Sequence, residues 1–386
     1  MDMTKAFDLV RHSTLFKKLI SAGLSVIFVR VLIFIYKHQV ANVRWNGMFS
    51  GLFSMKNGVR QGAVLSAIFY CIYMNDLFKT LRKSRLGCWI DGDFLGILGY
   101  SDDNLLLAPS LHALQEMVSI CERYAISHDL KFSTDPNPIK CKTKCLAFLK
   151  KKRDLPSIKL CGNDLPWVSS GNHLGSIIDD KINGMAHDIL AKRGKYVAKN
   201  IELNQEFKHC HPDSQFQLNE IYNSSFYGSP LWDLFSKECK MLENSWNTSF
   251  RIMFDLPYST HRYFVQTVSR KTHIKKVLLE RFLGFLTQIR KSGKRLPSKL
   301  LEIICRDTGS ITGSNLRNIM LLLEKHTIEE VTVKDLSSFE YQPVQPGDQW
   351  KVGMVRELLE IRENNLDVEN LTTNEIEEVL EYLCTS

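Results

Sequence analysis

Apolar positions in the first half of the chain recur with two periods, and each period predicts a different element. Between residues 13 and 23, Phe16, Leu19 and Ile20 share one helical stripe, with Ser13 as N-cap and Gly23 as stop. Residues 25–36 form a second predicted helix from the run "LSVIFVRVLIFIY". That run is short for a bilayer span and has Arg30 in its middle, which predicts a helix buried in a protein core. Residues 41–45 and 52–56 flank "NGMFSG", a hairpin signal. A third helix follows "NGVRQGAVL", with Ile68, Phe69, Ile72 and Tyr73 on one stripe. Residues 96–107 read as strand, tight turn and strand. Ser110 then caps a helix on which Leu111, Leu114, Met117, Val118, Cys121 and Tyr124 recur at steps of three and four.

Beyond that helix come the short strand "LKFS", the Pro-rich loop "TDPNPIK" and the strand "KCLAFL". Helix and strand alternate without a strict βαβ rhythm, so the fold class is α+β, built on an antiparallel sheet with packed helices. From about residue 181 the pattern is mostly helical, and it ends in "EIEEVLEYL", a short acidic amphipathic helix.

Composition adds size and charge. With 386 residues, 44% of them hydrophobic, the chain can bury a large core and divides into two or three domains. The net charge of +8 is uneven: residues 351–386 hold three basic and nine acidic residues, leaving 47 basic and 33 acidic residues, or +14, on residues 1–350. A polyanion such as nucleic acid would meet that field. Ten cysteines without a CxxC framework fit a reducing compartment, so the expected location is intracellular, nucleus or cytoplasm, with no signal peptide and no membrane helix. Cys141 with Cys145, and His209, Cys210 and His211, invite a zinc reading, but neither group has a second half at finger spacing, and no structural zinc is expected.

The chemistry concentrates in "GILGYSDDNLLLAPS". Asp102 and Asp103 repel each other inside an apolar run, and no Lys or Arg lies between residues 94 and 114. An isolated pair of this kind is most often a solvated turn. Asp2 supplies a third carboxylate without an obvious basic partner. If Asp2 ends a strand beside the Asp102 hairpin, the three converge on one spot, where hard oxygen ligands suit two Mg²⁺ ions. Strand alternation leaves one of the pair as the ligand shared by both ions, and Asp102 is the expected one.

In order and spacing, "DMTKAFDLV", "GVRQGAVLSAIFY", "GYSDDNLLL", "LKFSTDPNPIKCKTKCLAF" and "HLGSIID" resemble the palm motifs of reverse transcriptases, most closely those of non-LTR, jockey-like retrotransposons. The motifs cover residues 1 to about 180; "FYGSPLW" and "FDLPYSTHRYF" resemble the region behind the polymerase core. The resemblance implies an RNA-directed DNA polymerase that takes an RNA template, a DNA primer and deoxynucleoside triphosphates, with two Mg²⁺, or Mn²⁺, at Asp2, Asp102 and Asp103. It implies that Phe7 lies under the incoming sugar and excludes a 2′-hydroxyl, and that Arg60, Gln61 and Gly62 contact the nucleotide. Gly58 and Gly62 would let backbone approach closely. Lys142, or its neighbour Lys144, would give a proton to the leaving pyrophosphate, and His173, Leu174 and Gly175 would grip the primer.

Residues 1–165 are then a palm, 166–300 a helical thumb and 301–386 a helical C-terminal region with an acidic tail. The basic clusters around Arg193 and Lys275 are by default solvated helix faces, and in a thumb they would touch phosphates. Ala67 stands where the family usually has proline. The chain opens directly at the first motif, so the resemblance implies a fragment lacking fingers and endonuclease, weak or inactive alone. Two other functions compete. One is a non-catalytic remnant that binds nucleic acid or a protein. The other is an RNA-dependent RNA polymerase, whose paired aspartates Asp2 and Asp8 would match but whose pocket Phe7 argues against.

Overall fold

The computed structural model describes residues 1–325, apart from 152, 182–184, 224–225, 254–255, 261–273 and 308, together with 331, 335 and 336. The acidic helix expected near the C-terminus, most of "FDLPYSTHRYF" and the first half of the basic cluster at 270–276 lie outside the described residues. The chain forms two compact units, Met1–Leu174 and Gly175–Ser386.

The first unit is α+β. Helix α1 (His12–Ser21) packs on α2 (Val26–Lys37) and on α3 (Ser66–Lys83), which packs in turn on α4 (Leu111–Ser127). Helix α1 starts before Ser13, on Arg11, whose side chain makes no cap bond. It ends as its sequence predicts: Gly23, at φ 92°, lets Leu24 N reach Leu19 O at 3.1 Å and Gly23 N reach Ile20 O at 2.9 Å. Ser110 caps α4 by accepting from Ala113 N at 3.2 Å.

Helix α2 corrects an expectation. It buries only Val29, Leu32 and Tyr36, while Ile27, Phe28, Val31, Phe34 and Ile35 are exposed, Ile27 by 74%. A run apolar on every side has no period to name its buried face, so sequence could not tell partial from full burial. No helix among the described residues is long and apolar enough to cross a membrane. On α3 the core face is Phe69, Tyr70, Tyr73, Met74, Leu77 and Leu81; Ile68, placed on the stripe by sequence, is 54% exposed.

The sheet is fragmentary. Short antiparallel ladders join β1 (Val40–Ala41) to β4 (Phe53–Ser54), β2 (Arg44–Trp45) to β3 (Met48–Phe49), and β5 (Trp89–Ile90) to β6 (Asp93–Phe94). Others join β7 (Ile97–Tyr100) to β8 (Asp103–Leu106) and β10 (Ile158–Leu160) to β11 (Asn163–Leu165). The strand expected in "KCLAFL" shrinks to β9 (Cys145–Leu146), which pairs in parallel with β12 (Trp167–Val168). Strands β13 (Ser170–His173) and β14 (Ser176–Asp179) flank the boundary between the units.

The second unit is helical after β14: α5 (Ala186–Phe207), α6 (Pro212–Asn223), a 3₁₀ turn (Ser229–Leu231), α7 (Lys237–Met253), α8 (Ile274–Lys291), α9 (Arg295–Arg306) and α10 (Ile311–Leu322). Its core gathers Trp232, Trp246, Phe250, Leu278 and Phe282. Asn315, fully buried, fastens the loop before α7 by donating to Trp232 O at 2.7 Å and accepting from Leu234 N at 3.1 Å. Lys275 is no solvated face residue. It is 8% exposed, donates to Leu234 O, stands 3.6 Å from a Glu243 oxygen and lies 4.1 Å from the Phe235 ring centroid. Nor is Arg193 simply solvated, since its Nε donates to Ser245 Oγ at 2.8 Å.

The cap on α4 gives a test of the first unit. Ser110→Ala leaves Ala113 N without its acceptor and should cost about 1 kcal/mol, whereas Ser110→Asp should be near neutral. Urea unfolding followed by helical circular dichroism measures the difference.

Candidate active site

The two ends of the site are brought together by backbone alone. Residues 1–4 lie between two stretches far away in sequence. On one side Met1 and Asn104 exchange bonds, Met1 N to Asn104 O at 2.5 Å and Asn104 N to Met1 O at 3.3 Å. On the other, Ser133 N donates to Asp2 O at 2.9 Å, Thr4 N donates to Lys131 O at 2.8 Å, and Met3 bridges antiparallel to Phe132. Continuing the Met1–Asn104 register by one residue sets Asp2 across from Asp103, where side chains of an antiparallel pair share a face. Asp102 lies one residue earlier, in the two-residue turn between β7 and β8.

That turn is built as the sequence predicts, with an added strain. Tyr100 pairs with Asp103, and Ser101 adopts φ 57°, a left-handed conformation that glycine accepts more readily. Buried Asn104 holds the turn by donating from Nδ2 to Asp102 O at 3.0 Å.

The loop at 141–143 closes over Asp2. Thr143, 1% exposed, accepts from Asp2 N at 3.1 Å, and Lys142 Nζ stands 4.0 Å from Asp2 Oδ2. The Lys142 side chain is 72% exposed, so this contact is loose and screened. Lys144 is exposed. Carboxylate oxygens are the hard donors that a divalent cation takes. Among the described residues, however, no group of three or more His, Cys, Asp or Glu side chains is gathered around one point. Backbone pairing sets the aspartates side by side without drawing their side chains into a ready-made cluster.

Phe7 stacks on Tyr70, ring centroids 5.0 Å apart and planes inclined by 25°. Tyr70 is fully buried, and its hydroxyl donates to Met3 Sδ at 3.0 Å. Burial pushes the Tyr70 phenol well above its ordinary range, and the Asp102 charge adds to the rise. Tyr70 was not among the residues singled out by sequence; in a helical stripe it reads as core, and only its contacts with Phe7 and Met3 tie it to the site.

Gly58 and Val59 lie against the Phe7 backbone: Val59 N donates to Phe7 O and Gly58 N to Val10 O, both at 2.8 Å. At Gly58, φ is 92°, and an added Cβ would sit 3.0 Å from Asp8 O. His12 Nε2 meets the Gly58 carbonyl at 2.8 Å, a second contact that sequence did not disclose. Gly62 differs from the expectation of close approach: nothing lies within 4 Å of its Cβ position, and only its φ of 80° calls for glycine. Arg60, Gln61 and Gly62 are all exposed. His173 and Leu174 end the first unit and Gly175 begins the second, with φ 48° at Leu174 and 78° at Gly175.

If Gly58 is an approach point and Gly62 a conformational one, alanine should separate them. Gly58→Ala should cost about 1–3 kcal/mol through both strain and contact with the Asp8 carbonyl, and Gly62→Ala about 1 kcal/mol from φ alone. Equal shifts in the unfolding midpoint would refute the distinction.

The stretch that holds these residues matches known proteins. The family described as "Reverse transcriptase (RNA-dependent DNA polymerase)" matches residues 1–178. Over 173 residues the chain is 26% identical to the Retrovirus-related Pol polyprotein from type-2 retrotransposable element R2DM of Drosophila melanogaster, covering 41% of this chain and 16% of that protein. The chain thus spans a small fraction of this curated relative's length. The match to the reverse transcriptase family over residues 1–178 takes in the paired segment at Asp2, the Asp102–Asp103 turn and the Gly58 approach.

Proposed function

We propose that this chain is the RNA-directed DNA polymerase part of a non-LTR, jockey-like retrotransposon protein, extending a DNA primer on an RNA template from deoxynucleoside triphosphates. The observation that carries the proposal is the pairing of residues 1–4 between residue 104 and residues 131–133, which sets Asp2 beside the Asp102–Asp103 turn. Asp2, Asp102 and Asp103 hold divalent cations, Mg²⁺ or Mn²⁺. When bound, such ions supply positive charge to a transferring phosphoryl group. Like charges set across a strand pair repel, and no lysine or arginine nearer than the loosely held Lys142 contacts Asp2 among the described residues.

The remaining residues act around the aspartates. Lys142, exposed and next to Asp2, has the reach to hand a proton to departing pyrophosphate. Phe7, braced from behind by Tyr70, forms a wall under the sugar of the incoming nucleotide. Arg60, Gln61 and Gly62 present side chains and backbone to the nucleotide from the loop that Gly58 anchors. His173, Leu174 and Gly175 grip the primer.

One observation favours a second function, a non-catalytic nucleic-acid binder: the three aspartates are not drawn into a cluster, and Asp2 faces an ammonium. Mn²⁺ titration followed by electron paramagnetic resonance separates the two. Polymerase function requires Mn²⁺ to bind, with affinity falling at least about tenfold in Asp2→Asn and Asp102→Asn. Incorporation on primed poly(rA) should need Mg²⁺ or Mn²⁺ and fall about a hundredfold or more in Asp102→Asn. Unchanged Mn²⁺ affinity in both variants leaves the binder as the better account.

Phe7→Ala should raise ribonucleotide incorporation relative to deoxyribonucleotide, because the side chain works by exclusion. Nucleotide competition assays on one primed template measure the ratio. Unchanged selectivity would return Phe7 to a packing role beside Tyr70 and revive the RNA polymerase alternative.

A further inference from the structure

Within the second unit, the residue that opens the unit is held by side chains with no task in the scheme so far. Lys192, on α5, donates from its ammonium to the Gly175 carbonyl at 2.8 Å. The Tyr227 ring lies beside Gly175, 3.6 Å from where a Cβ there would sit, an ordinary van der Waals contact. The Lys192 ammonium stands 5.8 Å from the centroid of that ring.

The frame around these three is rigid. Asp188, 1% exposed, accepts from Ile177 N at 2.9 Å with one oxygen and from the Trp232 indole at 2.8 Å with the other. Gly228, at φ 87°, lies so close to Ser176 that an added Cβ would come 2.5 Å from its Oγ. The start of β14 and the segment "FYGSPLW" are therefore fixed to each other. Phe226 and Trp232 in that segment are 5% and 0% exposed, as packing residues should be, yet Tyr227 between them is 59% exposed. An aromatic ring that is 59% exposed with a cation held beside it has the makings of a stacking platform.

We propose that Tyr227 and Lys192 form a binding site for an unpaired DNA strand end, with a base stacked on the Tyr227 ring and the adjoining phosphate on the Lys192 ammonium. The choice of a DNA strand end as occupant rests on the assignment of Gly175, the first residue of the second unit, to a primer grip, while the Tyr227–Lys192 contacts stand by themselves. Lys192 has three donors and spends one on Gly175, leaving others for a phosphate oxygen. Stacking accepts any base, so the site reads a strand end by its chemistry and not by its sequence.

The full chain can be irradiated with a DNA oligonucleotide carrying 5-iododeoxyuridine near its 3′ end, and the crosslinked peptide identified by mass spectrometry. The crosslink should map to Tyr227 in the unaltered chain. Affinity for the oligonucleotide should fall about tenfold in Tyr227→Ala and change by less than about twofold in Tyr227→Phe. In Lys192→Ala the slope of log affinity against log salt should shrink by about 0.7, the share of one phosphate on a single strand, a change that mere loosening of the Gly175 turn does not produce. Crosslinks confined to other residues, or an unchanged salt slope in Lys192→Ala, overturn the proposal. Primer extension read in parallel keeps the two assignments apart. Extension without the Tyr227 crosslink defeats this site alone, and a Tyr227 crosslink with Mn²⁺ affinity unchanged in Asp2→Asn and Asp102→Asn defeats the polymerase assignment and leaves the strand-end site standing.

Discussion

The first unit depends on one constraint: residues 1–4 hydrogen-bond to distant backbone on both sides. Met1 is tied to Asn104, and Asp2 and Thr4 to residues 131–133, and the contacts of Tyr70 and Thr143 with the site run through that segment. Met3 receives the Tyr70 hydroxyl, which sets the ring against which Phe7 stacks. Asp2 N engages Thr143, which brings Lys142 within reach. The same pairing sets Asp2 across from Asp103, and the two carboxylates partly offset the fall in pKa that burial imposes on the Met1 ammonium.

How much of this was legible in sequence follows from the range of each interaction. The Gly23 stop of α1, the Ser110 cap of α4 and the tight turn at Ser101–Asp102 are set by residues within five positions of each other, and all three form as predicted. The meeting of Asp2 with the β7–β8 turn is set by residues about a hundred positions apart. No local pattern carries that register, and resemblance to known motifs had to supply it. Tyr70 and His12 escaped notice because their neighbours make them look like core and helix-start residues. Their roles lie in one contact each, to Met3 and to Gly58.

Helix α2 shows the opposite failure, a strong local signal with the wrong consequence. Hydrophobicity predicted the helix well but not its burial, because burial depends on what other elements cover. The arm that follows, residues 40–54, shares the feature. Its strands pair only in two-residue ladders, and Trp45, Met48, Phe49 and Leu52 are 64–80% exposed. A two-stranded ladder without a core beneath it belongs to the low end of local stability.

Charge counted from sequence likewise changes meaning once partners are known. The +14 on residues 1–350 suggests a broad field for a polyanion. In the second unit, though, Lys275 is spent inside the core against Glu243 and Leu234 O, Arg193 is engaged with Ser245, and Lys199 with Glu202. The ion pairs of Lys275 and Lys199 offset charge that could otherwise meet a phosphate, whereas Arg193, bonded to a neutral hydroxyl, keeps its charge, as do exposed Lys142 and Lys195. The field that a polyanion would meet therefore comes from fewer lysines and arginines than the formula counts. A cation such as Lys192, fixed by one bond and with donors to spare, offers a phosphate a placed contact where a mobile surface lysine offers only charge.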